Sequence, residues 1–192
     1  MAMQPEGNII KRTWRRLRSP SARWSVLALL VVGAIGGFVA TAGTQLMVAV
    51  TGTDAFCGGA CHSMQWVAAE HKQSAHGVNR TGVGAACHDC HIPTHYPYLL
   101  WYKAKAGVKD VYHEMLGTIS TEEKFNKQRE RMAKHVWEEY KGNNSQACRN
   151  CHVFTKEIVA KQKEAVRPMH TAVMQGQGTC IDCHQGMGHK AP

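Results

Sequence analysis

All eight cysteines of the chain fall in four pairs, and each pair is followed at once by histidine. The pairs are Cys57 and Cys61 before His62, Cys87 and Cys90 before His91, Cys148 and Cys151 before His152, and Cys180 and Cys183 before His184. In a C-x-x-C-H site the two thiols add to the vinyl groups of a haem, and the next imidazole binds iron from beneath the ring. Four such sites call for four covalently bound haem c groups. Cysteine pairs of this kind also serve zinc and redox disulfides. Neither requires a histidine after the second cysteine, and here it is present in all four. The first motif differs in spacing, because Gly58-Gly59-Ala60 puts three residues between its cysteines. The expectation is that the extra residue bulges outward on glycine's freedom of backbone angle, leaving both sulfurs toward the ring.

Two axial histidines for each of four haems would use eight imidazoles, and the chain has twelve. His91, His152 and His184 are proximal by motif, and His62 follows the first pair. His76, His95, His170 and His189 sit in expected loops or at helix ends near a motif, which makes them the distal candidates. His71, His88, His113 and His135 read instead as solvated or packed.

Stepping outward from the ligands, residues 1–23 carry Lys11, Arg12, Arg15, Arg16, Arg18 and Arg23 against the single acid Glu6, and a charge-free run extends from Trp24 to Thr53. A membrane-crossing helix needs about 20 apolar residues, so residues 24–50 are long enough to span with some tilt. The basic flank then belongs in the cytoplasm, and residues 51–192 form a haem domain in the periplasm, where thioether attachment of haem takes place in bacteria. Ala40-Thr41-Ala42 also resembles the cleavage site of a signal peptide, but the apolar run continues past it, which favours a retained inner-membrane anchor. Beside a span the arginine cluster is a topology signal, so no nucleic-acid partner is called for.

The domain after the anchor reads as mainly α, with short helices and loops around the haems and no strand-like alternation of useful length. Aromatic residues are scarce, so its apolar centre should come largely from porphyrin. Pro93 and Pro97 precede a helix to about Leu116 that Gly117 caps. Ser120-Thr121-Glu122-Glu123 fits a capping box opening a helix whose Phe125, Met132, Val136 and Tyr140 face inward while Lys124, Lys127, Arg131 and Glu138 are solvated. Gly142-Asn143-Asn144-Ser145 ends that helix. A shorter helix from Lys156 to Glu164 is expected to stop near Pro168.

Over nearly its whole length the chain resembles the NapC/NirT membrane-anchored tetrahaem cytochromes and the related NrfH proteins. The resemblance runs from the span through Phe56-Cys57, Cys61-His62-Ser63-Met64-Gln65-Trp66, Lys72-Gln73-Ser74-Ala75-His76, Asn79-Arg80-Thr81-Gly82-Val83 and the third and fourth motifs to Gly188-His189-Lys190. It implies oxidation of membrane quinol and delivery of electrons to a periplasmic reductase of nitrate, nitrite or a related acceptor. It also implies an axial role for Met64, two residues after His62, with Asp110 on the open face of the first haem and Lys103 near the quinol pocket. A thioether ligand raises a haem's potential relative to imidazole, and a carboxylate beside the ring can take a proton that quinol sheds. The chain departs from the family in the spacing of its first motif and in Thr94, which intervenes between Pro93 and His95. It also lacks the additional haem domain of relatives serving trimethylamine oxide reduction, which points away from that branch.

Quinol oxidation feeding periplasmic nitrate reductase is therefore the expected function. Electron flow in the opposite sense, into the quinone pool from hydroxylamine oxidation, is the alternative within the same class. A multihaem enzyme reducing a nitrogen oxide at an open iron is the alternative from another class, and surplus histidines argue for saturated irons instead.

Overall fold

A computed structural model describes residues 9–18, 24–79 and 81–192; Arg80 of the resembling stretch and most of the basic flank, Arg23 included, lie outside it. The chain divides into two compact units, residues 1–47 and 48–192. Among the described residues every regular element is helical and there is no strand, as the sequence pattern requires.

In the first unit α1 spans Ile9–Arg18, within the basic flank, where no helix is expected from the sequence. The longest helix, α2, spans Val26–Val50 and is long and apolar enough to cross a membrane, with none of that stretch buried inside the protein. Its 25 residues extend about 37 Å at 1.5 Å per residue. Ser25 opens it by accepting the Ala28 amide at 3.2 Å. It runs unbroken through Ala40-Thr41-Ala42. Thr41 and Thr44 donate their hydroxyls to the carbonyls of Gly37 and Ala40 at 2.8 Å, so neither presents an unmet polar group along an apolar helix.

The second unit is built from short helices: α3 (Asp54–Gly59), α4 (Gln65–His71), α5 (Cys87–His91), α6 (Tyr98–Met115), α7 (Glu122–Gly142), α8 (Gln146–Arg149), α9 (Lys156–Ala160), α10 (Arg167–Met174) and α11 (Cys180–Cys183). Two 3₁₀ turns, His62–Met64 and Glu164–Val166, join them. Its apolar core is slight, since Leu99, Phe125, Val159 and Ile181 are the buried hydrophobic side chains among the described residues.

Turn chemistry explains the helix ends. Gly117, at φ +60, takes the left-handed turn after α6 that a side chain resists, and the Thr118 amide reaches back to His113 O at 3.2 Å. The cap of α7 is Thr121, whose hydroxyl accepts the Lys124 amide at 3.3 Å; with lysine three residues on, there is no reciprocal glutamate of a capping box. At the other end Gly142 is still helical, and Asn144 and Ser145 adopt left-handed angles of φ 56 and φ 51. Pro168 opens α10 rather than stopping the helix before it, because the first turn of a helix needs no amide from proline. His170 accordingly lies on a helix.

The inward face of α7 holds as read: Phe125 is buried, Met132, Val136 and Tyr140 are half-buried, and Lys124, Lys127, Arg131 and Glu138 are exposed. Trp66 of α4 stacks on Phe125 at 5.7 Å, and the Arg129 guanidinium covers the other part of that ring at 4.7 Å. Arg129 also holds Glu70 of α4 through two bonds of 2.6 and 2.9 Å. Glu70 accepts the Lys190 amide at 3.1 Å, and Arg129 donates to the Lys190 carbonyl at 3.2 Å. One ion pair thus ties α4, α7 and the C-terminal segment.

Hydrogen bonding from Arg129 holds the Glu70 carboxyl below its ordinary range. A depressed carboxyl stabilises the fold above its unfolded pKa near 4.5, and that contribution is lost as pH falls through the lower, folded value. Replacing Arg129 by alanine leaves a mostly buried carboxylate unpaired and should cost about 2–4 kcal/mol at pH 7. Thermal melts of the two proteins at pH 7 and below pH 4 check this, with the difference expected to shrink in acid.

Candidate functional site

Each cysteine pair begins on one of the shortest helices, α3, α5, α8 or α11, so a single turn sets the spacing of its two thiols. For the first motif this corrects the expected bulge. Gly58 and Gly59 are helical, and neither takes a positive φ. The need for glycine is steric: a Cβ on Gly58 would come within 2.7 Å of the Ala68 methyl, where α3 packs against α4. No two of the eight cysteines are joined as a disulfide.

The thiols adjoin in motif order. Cys57 lies within electrostatic reach of Cys87, Cys90 of Cys151, and Cys148 of Cys180. Three polar ties hold these short helices in series. Asp54 accepts the Cys87 amide at 2.8 Å, linking α3 to α5, and this bond is the main reason its carboxyl sits below the usual range. Tyr140 donates its hydroxyl to Cys90 O at 2.6 Å, linking α7 to the second motif. Ser145, fully buried, accepts the Ile181 amide at 3.3 Å, linking the third motif to the fourth. Burial raises the thiol pKa of Cys57, Cys61, Cys90 and Cys148, and burial with a hydrogen bond to Asp54 pushes Cys87 up to about 12.

The histidines come in facing pairs. Ring centroids lie 6.0 Å apart for His91 and His189, 6.1 Å for His76 and His152, and 6.1 Å for His170 and His184. An imidazole nitrogen sits roughly 2 Å from a metal it binds, so two rings on opposite sides of one ion have centroids about 6 Å apart, allowing about 1 Å from each nitrogen to its ring centre.

The hydrogen bonds of three of these rings fix which nitrogen is available. His76 Nδ1 meets Met187 O at 3.2 Å, His189 Nδ1 meets Val67 O at 3.2 Å, and His170 Nδ1 meets Gln162 Oε1 at 2.5 Å. Carbonyl oxygens only accept, so each Nδ1 carries the proton and each Nε2 keeps a lone pair for a metal. His91 keeps an exposed surface, but desolvation by the atoms packed around it, then repulsion from His189 and His71, lowers its pKa to about 4 and favours the neutral ring.

Among the described residues no three or more His, Cys, Asp or Glu side chains converge as a metal site. A zinc ion would need three or four protein donors, whereas a haem iron receives four from the porphyrin and needs at most two more. The paired rings beside paired thiols fit haem c.

His71, read from the sequence as solvated or packed, lies 6.1 Å from His189, but its Nε2 is engaged with Ala85 O at 2.8 Å. His95 instead stacks on Tyr98 at 5.7 Å. His62 packs edge-on to Trp66 at 6.3 Å, and half-buried Met64 closes the 3₁₀ turn after it.

One side of α6 faces this first motif. Lys103 exerts a charge effect on Cys57 and donates to Thr51 O at 3.1 Å, while Asp110 and Glu114 both raise the Cys61 thiol. Glu114 accepts the hydroxyl of buried Ser63 in a short hydrogen bond. Asp110 is exposed at its surface, and partial desolvation by the atoms around its base lifts the carboxyl above its ordinary value, against the pull of Lys109 and His113. The sequence expectation named Lys103 and Asp110 but not Ser63, Glu114, Ser145 or Gln162. Ser63 and Glu114 pair across 51 residues and Ser145 reaches Ile181 across 36, and the eight residues between Gln162 and His170 match no turn or capping spacing.

Free thiol pairs and facing imidazoles on a helical scaffold with little core of its own define a c-type haem protein. The model of the NapC/NirT cytochrome c family, N-terminal region, matches residues 19–192. Cytochrome c-type protein TorC of Escherichia coli K12 is 43% identical over 185 residues, 95% of this chain and 47% of TorC, so the chain spans about half the length of that relative. Cytochrome c-type protein NapC of the same strain is 40% identical over 96% of this chain and 91% of NapC. Denitrification system component NirT of Stutzerimonas stutzeri is 37% identical over 92% and 87%. Among solved structures, the cytochrome c nitrite reductase NrfHA complex bound to the HQNO inhibitor aligns with a TM-score of 0.48 and 28% identity over 82% of this chain and 88% of its own. The chain belongs to the NapC/NirT cytochrome c family, whose haem c is covalently bound. Identity to TorC and to NapC is similar, at 43% and 40%, while the chain spans 47% of the former and 91% of the latter.

Adding a methyl at Gly58 should force α3 off α4, at a cost of about 1–3 kcal/mol. Denaturation of Gly58→Ala, and of Gly58→Ala combined with Ala68→Gly, checks this; the second change is expected to restore most of the loss.

Proposed function

We propose that this chain is an inner-membrane cytochrome with four covalently bound haem c groups that oxidises membrane quinol and passes the electrons to a periplasmic reductase, with nitrate reductase as the first candidate. α2 is the span in this reading, with the basic N-terminus in the cytoplasm and the motif-bearing unit in the periplasm. The observation that carries the proposal is the three facing imidazole pairs, each with a motif histidine, on motifs held in series by the bonds from Asp54 to the Cys87 amide and from Ser145 to the Ile181 amide. Haem c, when bound, carries one electron at a time. Because attachment is covalent, the order of the motifs becomes the order of the carriers.

The axial residues are assigned as His91 with His189, His152 with His76, and His184 with His170, with His62 and Met64 serving the first motif. His71 is set aside because its Nε2 is already bonded, and His95 becomes surplus to the three pairs. Quinol gives up two protons with its two electrons. Asp110, facing the first motif with a raised pKa, is the base that accepts a proton there, and half-buried Lys103, on the same side of α6, positions the quinol oxygen.

The test uses the full-length, detergent-extracted protein. Its intact mass should equal the chain plus four haems, and a lipid quinol added without oxygen should reduce its haem absorption bands. Fewer haems, or no reduction by quinol in proteoliposomes, overturns the reading.

Asp110→Asn should slow quinol-dependent reduction about 10²-fold while leaving full reduction by dithionite unchanged. The base acts only when deprotonated. The wild-type rate should therefore decline as pH falls through the raised Asp110 pKa, and the variant's residual rate should lose that inflection.

A further inference from the structure

We infer that α6 lies in the boundary between headgroups and acyl chains of the membrane, with its outer face against lipid. The helix is two-sided in an unusual sense. Leu99 is buried, and Lys103, Asp110 and Glu114, which share its side, turn toward the first motif. The opposite side is a stripe of Trp101, Val108, Tyr112 and Met115, spaced by seven, four and three residues, and these side chains are 59–83% exposed. A surface helix of a water-soluble domain turns its apolar stripe inward. Here the stripe points away from the unit that carries it, and Val111 and Met115 line a shallow apolar hollow of about 370 Å³.

Two observations select lipid as the occupant. Lys103 is bonded at 3.1 Å to the carbonyl of Thr51, the residue directly after the last of α2, so the beginning of α6 is fixed to the point where the chain leaves its apolar helix. The stripe also has the composition of an interfacial helix: Trp101 and Tyr112 are amphipathic rings, and the exposed Lys105 and Lys109 border them, placed to meet anionic headgroups. The inference goes beyond quinol oxidation and needs only that α2 spans a membrane.

The experiment reconstitutes the full-length, haem-loaded protein in vesicles of phosphatidylethanolamine and phosphatidylglycerol doped with a lipid bearing a photoreactive diazirine high on its acyl chain. After illumination, peptides are mapped by mass spectrometry. Adducts are expected on residues 101–115 as well as on α2. Val108→Glu combined with Met115→Glu should reduce the α6 adducts about tenfold and leave α2 labelling unchanged; both positions are exposed, so the fold is retained. Labelling confined to α2 overturns the inference. So do α6-to-α6 crosslinks between two copies that shield the stripe from lipid. Quinol oxidation with unlabelled α6 overturns this inference alone, and labelled α6 without quinol oxidation overturns the proposed function alone.

Discussion

Burial of apolar side chains normally holds a domain of this size together, and here that contribution is small. With Leu99, Phe125, Val159 and Ile181 as the buried hydrophobic residues, the second unit depends on polar ties between short helices and on the groups its thiols are made to hold. Most of those ties end at a motif. Asp54 holds the second motif by an amide, Tyr140 holds it by a carbonyl, and Ser145 joins the third motif to the fourth. Tertiary structure and cofactor placement are therefore one problem in this chain. A change that frees a motif also removes part of what keeps the helices in register.

The same economy appears in the imidazoles. A backbone carbonyl can only accept, so a histidine bonded to one through Nδ1 has its tautomer and its orientation set together. His76 and His189 gain this from Met187 and Val67, more than a hundred residues away along the chain. The loop that carries one imidazole thus positions another. The last segment of the chain, with Met187, His189 and Lys190, reaches the carbonyl, ring and carboxylate partners that close the unit, although on composition it reads only as a short glycine-bearing tail.

How much was legible in the sequence follows from what each feature depends on. The helical class, the long apolar helix, the cap at Gly117 and the inward face of α7 are local properties, set by periodicity and turn chemistry within a few residues, and they hold. The motifs name their own thiols and proximal histidines for the same reason. Local signals misled where a residue has two uses. Pro168 reads as a stop and serves as a start, and the Gly58 spacing reads as a bulge and answers to Ala68. Ser63 with Glu114, and Glu70 with Arg129, were beyond reach because their meaning lies in pairs more than fifty residues apart.

The burial of the Arg129–Glu70 pair bears on the salt the protein tolerates. Charges in open solvent are screened within about 8 Å at physiological ionic strength, whereas a pair only 16% and 12% exposed keeps most of its attraction. Because that pair joins α4, α7 and Lys190, the closure of the unit should persist in saline that cancels the exposed pairs of Lys134 with Glu130 and Lys141 with Glu138.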